Sequence, residues 1–385
     1  MSKIKNTKIK LYLIYLFLIV ITILFPLFSV FLNVVLFINN KVSYKFSIFL
    51  LAFNLSIIAY YTIPYEGSDL YRHFQMINTM KWSNVTNFIY YGYNLVYVNS
   101  FIMFFSAKLN NPAIYTFILT FIGYYSIFYI LKKEAISNNI NKKYLFVCLL
   151  FVFTFSFFKI YVFALRQYCS FALILYAFYK YESENYNKYL TILIVLSSIL
   201  IHTSSLLILI IWLLTYIKNH KKVLFIFTAF FIIQFLFPTF YSLLYNYIGN
   251  FIFDKINHYL QRPNYYNLNF YIMFIISNIF FIIILYKNKK YFDLQDRKTI
   301  FFYYLLLLSI TFIYKYELYK RFIYSIYIFS PIVFFNKKFN LNKSKLFLFF
   351  LFSLLGIGLL ANLASLRAYR WDLETPLFSL LSIIH

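Results

Sequence analysis

Residues 189–217 read YLTILIVLSSILIHTSSLLILIIWLLTYI, and this stretch decides the fold. Its two apolar runs, Tyr189–Ile201 and Thr203–Ile217, contain no Asp, Glu, Lys or Arg and are separated only by His202. Continuous apolar runs are typical of membrane helices, whereas the strands of a membrane β-barrel alternate apolar and polar residues. The stretch therefore predicts an α-helical membrane protein with a histidine between two spans.

The rest of the chain has the same character. Of its 385 residues, 63% are hydrophobic and only 12% are charged, and the mean hydropathy is +0.72. A soluble domain of this length needs more polar surface. The pattern predicts an all-α, polytopic integral membrane helix bundle, a single domain over residues 1–385, with roughly 11–13 membrane segments. Several runs are too short for a full crossing and suit tilted, broken or re-entrant helices, and Pro26 predicts a kink in the first run.

The net charge of +25 comes mainly from lysines in short connectors between the apolar runs, so it indicates membrane topology and no nucleic-acid partner. Lysine-rich connectors stay in the cytoplasm. The connectors concerned are 132–143, 180–188, 218–222, 287–298 and 336–345. Three polar segments that carry acids as well as bases are predicted to lie outside the cytoplasm. They are residues 64–87, 245–268 and 365–376.

The first polar segment, residues 64–87, lies on a side of the membrane that depends on whether Phe88–Ala107 crosses the membrane. If this stretch crosses the membrane, residues 64–87 are cytoplasmic. If it is re-entrant or lies along the surface, which its Asn94 and Asn99 favour, residues 64–87 lie outside. A single first span would then leave the lysine-rich N-terminus on the outer side, against the charge rule.

Polar and ionisable side chains are costly at membrane depth and are therefore rare there. Three such residues interrupt or border the apolar runs: Arg166, Gln167 and His202. Two interpretations of Arg166 are open. Its side chain extends to the membrane surface, or its guanidinium binds a phosphate through two N–H groups, with Gln167 as a neutral donor beside it. His202 either ends a helix, with its ring satisfied by a carbonyl, or lies in a polar cavity where it binds substrate or moves a proton.

A second group is Asp69, Arg72 and His73. On a helix, spacings of three and four put Asp69 on the same face as Arg72 and His73. The group is either a surface ion pair or a carboxylate base beside a charged leaving group.

Arg321 and Tyr324 lie at the mouth of a later span, and Arg367 and Arg370 lie three residues apart in the polar tail. Two arginines at that spacing suit a diphosphate. The sequence has no glycine-rich nucleotide loop, no metalloprotease motif and no nucleophile elbow. It therefore predicts chemistry without a metal, a nucleotide or another cofactor.

Three motifs carry a resemblance to a known family. They are GSDLY at Gly67–Tyr71, ALRQ at Ala164–Gln167 and IHTSSL at Ile201–Leu206. Their order and approximate spacing resemble the EpsG family of Wzy-like exopolysaccharide and capsule polymerases, over about residues 60–335.

The resemblance implies a multi-pass enzyme of the bacterial cytoplasmic (inner) membrane, related in function to O-antigen polymerases. Such a glycosyltransferase joins oligosaccharide repeat units carried on undecaprenyl diphosphate, at the outer face of the membrane. By position, Arg166 and His202 would be core site residues and Asp69 the candidate base. The partners implied are the lipid-linked oligosaccharide, membrane lipid and other polysaccharide assembly proteins.

Three alternatives stay open at this stage. A flippase or transporter of lipid-linked sugars would need the same arginines, although the chain shows no internal repeat of the kind that many transporters have. An O-antigen ligase-like enzyme or a membrane acyltransferase would differ in its acceptor. A non-enzymatic scaffold of an assembly complex would leave the buried Arg166 and His202 without an obvious use.

Overall fold

The computed structural model describes residues 2–39, 42–64, 66, 68–82, 96–155, 164–244, 268–287, 296–313 and 315–335. Every regular element in these ranges is helical, and none is a β-strand. The predicted polar segment 245–268, apart from Leu268, and the segment 365–376 with Arg367 and Arg370 lie outside the described residues.

The chain divides into two compact units. Described residues up to 149 and from 164 to 205 belong to the first unit, and residues 150–155 and those after 205 belong to the second. The helices up to residue 201 are α1 (Ser2–Leu24), α2 (Pro26–Asn39), α3 (Tyr44–Tyr60), α4 (Asp69–Met80), α5 (Tyr97–Lys108), α6 (Ala113–Ser137), α7 (Lys142–Phe155), α8 (Leu165–Glu184) and α9 (Lys188–Ile201). Those that follow are α10 (Ser205–Leu214), α11 (His220–Leu244), α12 (Leu268–Lys287), α13 (Arg297–Thr311), α14 (Tyr316–Phe329) and α15 (Pro331–Phe334).

The chain is disturbed at Pro26, as predicted, and the first apolar run folds there into a helical hairpin instead of one kinked span. Helix α2 begins at Pro26, whose ring cannot continue the preceding helix but suits the first position of a new one. The chain then turns back: the ring of Tyr15 in α1 stacks on Phe46 at the start of α3, with 3.9 Å between ring centroids. The backbone N–H of Ser43 donates to the hydroxyl of Tyr15 (3.3 Å). Residues before Tyr15 therefore lie on the same side as the connector between α2 and α3.

One end of the first unit is marked by lysines. Lys132 donates to the carbonyl of Phe37, near the end of α2. Lys133 and Lys180 both bind the carboxylate of Glu184, at 3.1 and 3.0 Å. We call this the lysine end, defined by Lys132, Lys133 and Lys180. The N-terminal hairpin returns to this end, so the lysine-rich start and the connector before α3 obey the charge rule together.

The opposite end begins where α3 stops and α6 starts. The side-chain amide of Asn111, just before α6, donates to the hydroxyl of Tyr60, the last residue of α3 (2.5 Å). Helices α4 and α5 lie between α3 and α6 in the sequence. Helix α5 has 12 residues and is about 18 Å long, too short for a hydrocarbon core of about 30 Å. Lys108 at its end donates to the carbonyl of Lys81 (3.1 Å), just after α4.

These contacts bear on the stretch 88–107, of which residues 96–107 are described. The contact of Lys108 with Lys81 places the end of α4 at the same end of the unit as the start of α6. That the whole stretch 88–107 is re-entrant or lies along the surface stays a prediction, since residues 88–95 lie outside the described residues.

The second unit packs α13 against α11 and α14, and α14 also against α12. Buried polar pairs join its helices: Asn278 donates to the hydroxyl of Tyr319 (2.5 Å), and Ser277 shares a hydrogen bond with Tyr327 (2.6 Å). Such pairs are worth about 0.6 kcal/mol on average between membrane helices.

Only α6 among the described helices is both long and apolar enough to cross a membrane by itself. Six shorter apolar helices or helix segments accompany it: Tyr12–Leu24, Pro26–Asn39, Tyr44–Tyr60, Lys188–Ile201, Ser205–Leu214 and Ile275–Tyr286. The all-helical prediction is confirmed for the described residues, and a polytopic bundle is consistent with these lengths.

Candidate functional site

Helix α4 is an amphipathic helix that carries three of the predicted site residues. Ser68 caps it, because its hydroxyl accepts a hydrogen bond from the backbone N–H of Tyr71 (3.2 Å). Its buried residues recur every three or four positions: Leu70, His73, Ile77 and Met80. This stripe docks α4 on the rest of the unit, where its main neighbour is α5, and it places His73 inside the protein.

Asp69 and Arg72 occupy the exposed side of α4 and form an ion pair there. The exposed fractions are 62% for the side chain of Arg72 and 39% for that of Asp69. An exposed pair of this kind contributes at most about 1 kcal/mol to stability. The carboxylate and the guanidinium are therefore accessible groups that a ligand can separate at little cost.

His73 contacts a buried polar pair that the sequence did not single out as part of the site. Its ring packs edge-on against Tyr115, with 5.6 Å between ring centroids. The hydroxyl of Tyr115 donates to the side-chain oxygen of Asn99 (2.8 Å), and both residues are fully buried. In the sequence, Asn99 stands out only as a polar residue in a poorly apolar stretch. Tyr115 carried no signal, because tyrosine is frequent throughout this chain.

Arg166 and Gln167 begin α8, whose first turn has no side-chain cap. Arg166 is half-buried. Gln167 is only 5% exposed, yet its side-chain nitrogen makes no hydrogen bond with any described residue. A buried donor without an acceptor costs about 1–3 kcal/mol.

Helices α8 and α9 form an antiparallel hairpin that brings Arg166 and His202 to one level. Residues 185–187 join them, with Asn185 in the left-handed region (φ 48°) and Asn187 capping α9. The hydroxyl of Ser198 donates to the carbonyl of Ser170 across the hairpin (2.8 Å). Arg166 and His202 each lie four residues from this bond, about 6 Å along their helices, on the side away from the lysine end.

His202 ends α9 in an extended conformation (φ −155°, ψ 121°). Its backbone N–H still donates to Ser198 (3.1 Å), and its carbonyl accepts from the backbone N–H and the hydroxyl of Ser205. The ring nitrogen Nδ1 accepts from the backbone N–H of Ser204 (3.2 Å) and lies 2.7 Å from the hydroxyl of the same residue. The Thr203–Ser204 turn therefore fixes the ring as well as ending the helix.

Residues within or next to the three motifs lie within electrostatic range of His73. Burial lowers the pKa of His73 well below its usual value, and the positive charges of Arg166 and Arg72 lower it further; His202 is a third group within range of the ring. A guanidinium from α4, a second from α8 and an imidazole from the end of α9 thus act on one buried ring. We call this group, with Asp69 and Gln167, the arginine-end site.

The other predicted residues are not part of this group as described. Arg321 and Tyr324 lie on α14 in the second compact unit, where Arg321 is half-buried and Tyr324 is 2% exposed. Their role in substrate binding stays a prediction, as does that of Arg367 and Arg370.

The arginine-end site has the composition of an anion-binding site with one carboxylate. Two guanidinium groups and an imidazole can bind phosphate oxygens, and Asp69 can accept a proton. Among the described residues, no three or more His, Cys, Asp or Glu side chains cluster in a way that could hold a metal ion.

Comparison with known proteins gives one result. Neither the curated proteins nor the solved structures include a match to this chain. The sequence model of the EpsG family matches residues 46–372, which is most of the chain and includes all three motifs. The chain therefore belongs to the EpsG family, whose members are polysaccharide polymerase-like membrane proteins.

Proposed function

We propose that this protein is a membrane glycosyltransferase that joins oligosaccharide repeat units carried on a polyprenyl diphosphate such as undecaprenyl diphosphate. The product would be an exopolysaccharide, a capsule or an O-antigen. One observation carries the proposal: the bond between Ser198 and Ser170 brings Arg166 and His202 to one level of the α8–α9 hairpin, within electrostatic range of His73, the neighbour of Arg72 on α4. A diphosphate leaving group needs such a concentration of positive charge and hydrogen-bond donors.

The reaction can be assigned to the groups of the arginine-end site. A hydroxyl oxygen of the acceptor sugar attacks the anomeric carbon at the reducing end of the growing chain. The bond from that carbon to the diphosphate oxygen breaks, and the electron pair leaves with the diphosphate. The proton of the acceptor hydroxyl passes to the carboxylate of Asp69 and then to water.

The ion pair between Asp69 and Arg72 suits this sequence of events. While Arg72 holds the carboxylate, Asp69 is a poor proton acceptor. A bound diphosphate offers the guanidinium a more highly charged partner, and bidentate binding of phosphate is well suited to arginine. Donor binding would therefore release the carboxylate for its role as a base.

The two ends of the first unit support one membrane orientation. Lysine-rich segments stay in the cytoplasm, so we assign the lysine end to the cytoplasmic side of the inner membrane. The arginine-end site then faces the outer side in a multi-pass protein. Energy stored in the lipid diphosphate drives the transfer, and no nucleotide is required there.

The test is polymer formation by purified protein in vesicles supplied with lipid-linked repeat units. Wild-type protein should give a ladder of longer chains on a gel. Arg166→Lys keeps the charge but loses the paired donors of the guanidinium, and should lower the rate by on the order of 10²-fold.

The matched control is Arg297→Lys. Arg297 lies over the ring of Tyr216 at 4.3 Å in the second unit, so the same exchange there should leave the ladder unchanged. Movement of the lipid-linked unit across the membrane without any chain elongation by wild-type protein would refute the polymerase and identify a flippase. Equal ladders from Arg166→Lys and wild type would refute the phosphate contact.

A further inference from the structure

The contacts of His202 define which of its ring nitrogens carries the proton. A backbone N–H can only donate, so the hydrogen bond from Ser204 requires a lone pair on Nδ1. In the neutral ring, the single proton must then lie on Nε2. The hydroxyl of Ser204 lies 2.7 Å from Nδ1, where it can donate to the same lone pair.

We infer that His202 is a fixed hydrogen-bond donor to the departing diphosphate, through its Nε2–H, and that Ser204 is the positioning residue that fixes it. This inference rests on the proposed function and assigns the two sides of the reaction. His202 would stabilise the leaving group, and Asp69 alone would receive the proton of the acceptor hydroxyl.

The surroundings of His202 support the neutral donor form. The positively charged Arg166 begins the neighbouring helix, and Arg72 and the buried His73 come from α4. A second proton on His202 would add a charge beside two guanidinium groups. It would also place an N–H on Nδ1, facing the N–H of Ser204, and break the bond that orients the ring.

A general-base role does not fit this arrangement. The lone pair on Nδ1 is already used by Ser204, and Nε2 carries a proton in the neutral ring. To accept a proton from an acceptor hydroxyl, His202 would first have to break the contact with Ser204 and change tautomer. As a donor it needs no such change, so it is ready before the diphosphate binds.

Nuclear magnetic resonance of protein labelled with ¹⁵N-histidine tests the tautomer without reference to activity. The His202 signals are identified by their loss in His202→Gln. We expect a neutral ring with an unprotonated Nδ1 and a protonated Nε2 in the wild type. Ser204→Ala keeps the backbone N–H and should preserve this state, whereas Ser204→Pro removes it and should allow both tautomers. A proton on Nδ1 of the wild type would overturn the inference, even if Ser204→Pro does not fold.

Polymer formation tests the role of the donor. The amide nitrogen of glutamine can reach the position of Nε2, whereas that of asparagine corresponds to Nδ1. His202→Gln should therefore keep activity within about tenfold of wild type, and His202→Asn and His202→Ala should lose on the order of 10²–10³-fold, as when a single oxyanion donor is removed. Equal loss in all three variants would overturn the donor assignment.

The dependence of the rate on pH separates donor from base. If Asp69 is the base, the acid limb of the rate profile should have the same midpoint in wild type and in His202→Gln. A limb that disappears in His202→Gln would mean that His202 is the base. The control is His220→Gln, since His220 bonds to Tyr304 through Nδ1 (2.6 Å) in the second unit. Absence of any elongation by wild-type protein would refute the proposed function but leave the tautomer result valid.

Discussion

The buried pair of Tyr115 and Asn99 should be the most sensitive support of the site, and Tyr115→Phe tests it. The change removes one hydroxyl and leaves the ring against His73, at the same edge-on contact. Both partners of the lost hydrogen bond are fully buried, so the side-chain oxygen of Asn99 loses its donor and cannot turn to water. An unsatisfied buried acceptor costs about 1–3 kcal/mol.

The assay is a double-mutant cycle in thermal unfolding, in detergent, with Tyr115→Phe, Asn99→Leu and the double variant. For a chain of this size, 1 kcal/mol corresponds to roughly 2 °C or less in Tm, so Tyr115→Phe should lower Tm by about 1–5 °C. The double variant should be more stable than the sum of the two single changes predicts, because it leaves no orphaned partner.

The control is Tyr303→Phe, a half-buried tyrosine on α13 in the second unit, where a similar loss is not expected. Strict additivity of the two single changes would refute the reasoning, since it would mean that the hydroxyl of Tyr115 and the oxygen of Asn99 are not coupled. A cycle that shows coupling but leaves polymer formation unchanged would separate the stability of the pair from its support of His73.

Three further changes have defined outcomes. The lowered pKa of His73 means that the unfolded chain takes up a proton at this residue below about pH 6.5, while the folded protein does not. The Tm should therefore fall as the pH drops from 7.5 to 5.5. The fall should be smaller in His73→Gln. Ser198→Ala removes the bond to Ser170 and should lower the free energy of unfolding by about 1 kcal/mol. It should lower polymer formation by a larger factor, because a shift of about 1 Å between catalytic groups can cost 10²-fold in rate. An activity loss no larger than the loss of stability would contradict this. Gln167→Leu should raise Tm, because it replaces a buried amide whose nitrogen has no partner among the described residues, and should raise the KM for the lipid-linked donor. A lowered Tm would show that the amide is satisfied in the resting protein.

The sequence predicted the helical class and the three motifs that the structure brings together, because both rest on strong local signals. A charge or imidazole in an apolar run is costly, so Arg166 and His202 stand out without any knowledge of the fold. Their common level also follows from local rules, since a short connector between α8 and α9 forces an antiparallel hairpin.

The arrangement of the first helices was harder to predict, because it depends on tertiary contacts. Pro26 signals a disturbance, but whether the chain bends or turns back is decided by Tyr15 packing on Phe46. The length of α5 and the buried bond between Tyr115 and Asn99 likewise depend on partners distant in sequence. In a chain with 41 tyrosines, one buried tyrosine cannot be recognised as a site support from sequence alone.

Helix α4 links the stability of the site to its chemistry. It has neither the apolar length to cross the membrane nor more than one face to bury, so its apolar stripe is what holds it on the unit. His73 lies in that stripe, between the cations of the site and the buried ring of Tyr115. Protonation of His73 would add a charge beside Arg72, Arg166 and His202 inside a buried face, and would weaken the docking of α4. The same helix carries Asp69 and Arg72, so weaker docking of α4 would displace the proposed base and one phosphate-binding group together.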